Sequence, residues 1–150
     1  MGTLIWSLVV FIHILAATFW VGGQLMLAVV VLPLLRRGAR PEVVRDLAGA
    51  VGRRFATVTN FGLLPALVAT GALLAWHDGV RPDNLITTPF GRVLLVKVVL
   101  VAVVFTLAGL HGVAVQRLSR RGARGLALAT LLLSIAILGL AAALAVLPGP

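Results

Sequence analysis

Apolar residues run almost unbroken from Leu4 to Leu35, and the pattern resumes over about Phe55 to Trp76, Pro89 to Val115 and Gly125 to Leu147. Each run is long enough to cross a hydrocarbon core about 30 Å thick, which takes roughly 20 helical residues. Runs this long and this apolar predict membrane-spanning helices, not the buried helices of a soluble domain. The expected fold is therefore all-α, an integral membrane four-helix bundle.

The polar punctuation fits that reading. The first run exceeds the core at about 1.5 Å per residue, so its helix must tilt, protrude or bend near Pro33. Pro41 and Glu42 suit the first turn of a helix, and Pro41 to Val51 reads equally as a short amphipathic surface helix or as solvated linker. His77 to Thr88 is polar and turn-rich, and Thr88-Pro89 supplies an N-cap and first position for the third helix. Pro148-Gly149-Pro150 stops the fourth. The N-terminus has no basic leader segment, and its apolar run is longer than the roughly 7–15 residues of a signal peptide, so it is expected to stay as the first helix. On the fourth helix, Ala127, Ser134, Ala141 and Ala145 form a small-residue packing stripe.

Composition narrows the class. The chain has 150 residues, 61% of them hydrophobic and 11% charged, which leaves room for one transmembrane domain and little else. The net charge of +9 does not point to nucleic acid, because the basic residues sit in short loops between spans. Six arginines lie between Arg36 and Arg54 and four between Arg117 and Arg124, whereas the remaining connection contributes only Arg81 and Arg92. Basic loops stay in the cytoplasm, so both termini are expected outside a multi-pass protein of the cytoplasmic membrane. Cysteine and tyrosine are absent, which removes disulfides, thiolate metal sites and phenol chemistry.

Polar groups inside the spans carry the candidate chemistry, since each is unfavourable there unless it faces protein, water or a ligand. His13 shares a helical stripe with Ala17, Trp20 and Gln24. Counting from helix midpoints puts His13 and Lys97 roughly 10 and 8 Å to the outer side of centre, an outer pocket they can share with Trp20 and Arg92. His111 lies far towards the cytoplasm at the level of Asn60, where it is read as either a structural hydrogen-bond partner of Asn60 or a second ligand site, and His77 marks the outer end of the second helix. The candidate metal ligands are thus His13, His77 and His111, scattered in depth, with Met26 the one thioether beyond the initiator. Copper(I) prefers soft sulfur ligands, and zinc wants three or four clustered donors. All four acids (Glu42, Asp46, Asp78, Asp83) lie in loops, which argues against hydrolysis within the membrane. Haem b between helices is the other option, with His13 as axial ligand, Lys97 or His77 opposite and Arg92 towards a propionate.

Two segments resemble the copper-resistance D (CopD) family: His13 with Trp20-Val-Gly-Gly23, and Thr88-Pro-Phe-Gly-Arg92-Val-Leu-Leu-Val-Lys97. Arg54-Phe55 and Thr70-Gly71 also fall where that family has such residues, so the resemblance covers about Phe11 to Ala108. It implies copper transport or an accessory role in copper resistance. The chain is more distantly similar to HemJ-type membrane proteins in its first-helix histidine before Trp20 and its lysine in the third helix, which implies haem binding at His13 and Lys97. Three readings stay open: a copper handler, a haem-binding redox or porphyrin-handling protein, and a structural subunit whose polar residues only pack. The expected partners are the lipid bilayer, a second copy, or a membrane or extracytoplasmic protein.

Overall fold

The computed structural model describes the backbone of residues 2–38, 40–114 and 120–149, and the side chains of these except 109–114, 120, 121 and 123. Among the described residues the chain is helical, with four helices long and apolar enough to cross a membrane. These are α1 (Gly2–Gly38), α2 (Pro41–His77), α3 (Pro89–Ala114) and α4 (Arg120–Val146). The protein is a multi-pass membrane protein. It divides into two compact units, Met1–Ala75 and Trp76–Pro150.

In the first unit α1 packs against α2. The helix that begins at Pro41 does not stop at Val51. It runs on into the second span, so the segment is neither a separate surface helix nor a linker. Arg40 is extended (φ −61°, ψ 148°) and its carbonyl accepts from Val44 N at 3.0 Å, while Pro41 needs no donor in the first turn. No proline interrupts the helix until Pro65.

Both long helices pass through a proline without breaking, and each widens just ahead of it. Met26–Val31 and Thr59–Leu63 are π-helical, with Leu32 N donating to Leu27 O and Leu64 N to Thr59 O. The physical cause is the proline itself. Pro33 and Pro65 have no N–H for the carbonyls of Val29 and Phe61, four residues back, and their rings crowd those carbonyls. Loosening the preceding turn to longer-range bonds relieves the clash.

In the second unit α3 packs against α4, and Val104 and Ser134 are fully buried. Ser134 Oγ donates to Thr130 O at 2.8 Å, so its hydroxyl is satisfied by its own helix. Of the small-residue stripe on α4, Ser134 is buried and Ala141 half-buried, while Ala127 and Ala145 are exposed. Large apolar side chains elsewhere point outward, Phe61 at 84% and Leu4 at 78% exposure. Such surfaces need lipid as their solvent.

Candidate functional site

The polar stripe on α1 lies on the face turned to α2. Ala16, Trp20 and Val21 are buried, and His13, Ala17, Gly23 and Gln24 are half-buried. His13 Nδ1 lies 2.8 Å from Thr70 Oγ1 on α2. Thr70 is itself buried, and its hydroxyl donates to Ala66 O at 2.5 Å, with Leu67 O at 3.5 Å.

This bond fixes the state of the ring. A hydroxyl has one proton, and the proton of Thr70 goes to the carbonyl one turn back. Thr70 therefore accepts from His13, and His13 donates through Nδ1. In the neutral imidazole the lone pair then resides on Nε2. Gly71 makes the approach possible, because a Cβ there would stand 3.2 Å from His13 Cε1. Further towards the arginine-rich end, the ring of Phe55 sits where a Cβ on Gly23 would be, so that glycine admits the aromatic side chain. Two pairs of motif residues thus meet: His13 with Thr70-Gly71, and Gly23 with Phe55.

The second unit holds the other candidate residues. The Thr-Pro-Phe-Gly-Arg segment builds the start of α3. Gly91 N donates to Thr88 Oγ1 at 3.1 Å, so Thr88 caps the helix and Pro89 takes its first position, as the sequence pattern predicts. Thr88 Oγ1 in turn donates to Asn84 O at 2.9 Å. Asn84 organises the preceding turn: its Oδ1 accepts from Arg81 N at 2.8 Å and its Nδ2 donates to Gly79 O at 2.9 Å. Gly79 has φ +83°, a left-handed conformation that suits glycine after the end of α2. Gly91 is packed under the carbonyls of Leu85 and Asn84, 2.5 and 2.6 Å from where a Cβ would stand. Glycine is required there by space. Phe90 is buried beside it.

Arg92 is exposed, and its Nε donates to Thr88 O at 3.4 Å, so part of its donor fork turns to its own helix start. Lys97 is half-buried in the span of α3. His13 and Trp20 belong to the first unit, Arg92 and Lys97 to the second. The outer pocket that would join them rests on counted depth. His77 is exposed at the end of α2. Asn60 is exposed on the π-helical turn of α2, and the side chain of its expected partner His111 lies outside the described residues. Among the described residues no group of three or more His, Asp or Glu gathers as a metal site. Met26 is 13 residues from His13, about 20 Å along α1, and so is no co-ligand.

His13 stands out in the sequence as a polar group within a span, whereas the contact that Thr70 makes with it does not. A threonine in an apolar span ordinarily bonds its own helix, and nothing local marks one that also accepts from elsewhere.

Residues 49–147 match the family described as Copper resistance protein D, CopD. An uncharacterized protein of Aquifex aeolicus (strain VF5) is 37% identical over 79 residues, 51% of this chain and 54% of that protein. Copper transport protein CutJ of Bacillus subtilis (strain 168) is 30% identical over 142 residues, 93% of this chain and 25% of CutJ. The chain thus spans about half the length of the first relative and a quarter of the second. No solved structure matches it. With the family match covering α3, most of α2 and α4, and with Thr70-Gly71 and Thr88 to Lys97 inside it, the chain belongs to the CopD family.

Proposed function

We propose that the chain handles copper in the cytoplasmic membrane, as a transport unit or an accessory to copper resistance, with both termini outside. The observation that carries this reading is the 2.8 Å bond from His13 Nδ1 to Thr70 Oγ1. Metal-binding histidines characteristically donate one ring N–H to a fixed acceptor, which orients the other nitrogen towards the ion. Nε2 of His13 is the nitrogen assigned to copper.

An imidazole suits copper in either oxidation state, although copper(I) prefers sulfur. A lone imidazole is a weak seat, and weakness suits a cargo that must leave again. Trp20, two turns along the same face, supplies a π surface attractive to a cation. Lys97 and Arg92 on α3 stand towards the outer side by counting along the sequence, Lys97 as a further nitrogen donor and Arg92 as a cation nearer the surface. His77, at an outer helix end, and His111 are assigned as further stations along the route. A second copy or a membrane or extracytoplasmic partner completes the path. The names of the family and of CutJ support copper as the substrate.

The test is equilibrium competition for copper(I) between the purified chain in detergent and a chromophoric chelator, with iron and visible spectra recorded alongside. The wild type is expected to take up copper, His13→Ala to lose that uptake, and neither to carry iron. Undiminished copper binding by His13→Ala overturns the assignment. A Soret band with iron in place of copper overturns the reading itself and makes the site a haem site.

A further inference from the structure

The first unit also carries an open apolar groove of about 650 Å³ between α1 and the arginine-proximal half of α2. Phe19, Gly22 and Met26 line one side, Phe55 and Val58 the other, and Arg54 lies at the end near the arginine-rich loop. Arg54 is the one charged residue among those lining it, and none of the four acids contributes. The walls are open to the surroundings of the unit: Phe19 is 62%, Met26 54% and Val58 46% exposed.

Dimensions and charge together select an occupant. Along α1 the groove runs from Thr18 to Met26, about 12 Å, and along α2 from Val51 to Leu63, about 18 Å, at 1.5 Å per residue. Half of a hydrocarbon core is about 15 Å. The groove therefore spans one leaflet, with its cation at the headgroup level and apolar walls below. From this we infer that it binds an anionic phospholipid of the leaflet on the arginine-loop side, the phosphate at Arg54 and an acyl chain along Gly22 and Val58. The guanidinium fork matches phosphate oxygens in geometry and sign. Gly22 keeps the floor open, since a Cβ there would meet nothing within 4 Å.

The test uses the full chain in detergent, titrated with dioleoyl phosphatidylglycerol or dioleoyl phosphatidylcholine and followed by native mass spectrometry. The wild type is expected to bind phosphatidylglycerol about fivefold more tightly, the effect of one arginine near a lipid surface. Arg54→Gln brings the two lipids to near parity, whereas Arg36→Gln, on an arginine in the last turn of α1 outside the groove, keeps the preference. Gly22→Leu fills the floor and weakens both lipids, with helical content by circular dichroism unchanged. Absence of a preference in the wild type overturns the proposal. So does an equal loss in Arg36→Gln, which would mean diffuse attraction to basic loops, or a Gly22→Leu chain that still binds both lipids. A dimer that Gly22→Leu dissociates would also overturn it, by making a second copy the occupant. No arm of the test involves copper, so the two readings fail separately.

Discussion

Thr70 Oγ1 gives its proton to Ala66 O and takes one from His13 Nδ1, so a hydroxyl on α2 decides which nitrogen of a histidine on α1 holds a lone pair. Thr70→Val keeps the shape and removes the acceptor. Copper(I) affinity is expected to fall about 10- to 100-fold, the usual effect of losing the partner behind a metal-binding histidine. Thr70→Ser restores the hydroxyl and should recover most of the affinity. Stability changes little, since an interhelical hydrogen bond in a membrane averages about 0.6 kcal/mol. Equal affinities for wild type and Thr70→Val in the chelator competition would contradict this link.

Gly71 tests the same contact through space instead of chemistry. A methyl there stands 3.2 Å from His13 Cε1, so Gly71→Ala obliges the ring to shift by a few tenths of an ångström. Copper affinity should drop measurably, by less than in Thr70→Val, with helical content intact. Gly71→Leu has no such accommodation and should abolish binding in the same assay.

Gly91 gives the contrasting case, a site of pure packing. Its added Cβ would meet two backbone carbonyls, Leu85 O and Asn84 O, neither of which can rotate away. Gly91→Ala is expected to destabilise the start of α3 by about 1–3 kcal/mol, the range for forcing extra volume into a packed site. A lower midpoint of thermal unfolding in detergent, with copper still bound at low temperature, is the expected pattern.

The proposed orientation rests on arginine counts, ten in the two basic segments 36–54 and 117–124 against Arg81 and Arg92 in the remaining one. Single cysteines probe it in this cysteine-free chain. Gly38→Cys and Asp83→Cys are the suitable positions, both exposed, whereas Gly79 with φ +83° would be strained by any side chain. In intact cells an impermeant maleimide should label Asp83→Cys and spare Gly38→Cys. The reverse labelling would invert the assigned topology.

These cases also mark what the sequence could tell. Span number and approximate limits were legible because apolar runs of such length have one physical use. The Thr88-Pro89 cap was legible because hydroxyl and imino acid each have a positional chemistry. The continuation of the helix from Pro41 into the second span was not, since a helix continuing out of the membrane and a separate surface helix share one pattern of residues. His13 stood out as a polar group in a span, but Thr70 did not, because its role depends on an acceptor geometry 57 positions away. Arg54-Phe55 was visible as a motif fragment, and only packing against Gly23 and the adjacent groove gives it a physical meaning.

The π-helical turns before Pro33 and Pro65 have a bearing on how these helices tolerate change in length. Each such turn accommodates about one residue more than an α-helical turn, and one residue in an α-helix amounts to about 100° of rotation. The two halves of α1 are therefore out of phase: the half bearing His13 and the half bearing Arg36 follow separate angular frames. Deleting one residue between Met26 and Val31 can be absorbed by tightening that turn to an α-helical one, which leaves the two halves in nearly the same angular relation. Phase, not length, is what that stretch of α1 preserves, and α2 carries its own phase break at Thr59–Leu63.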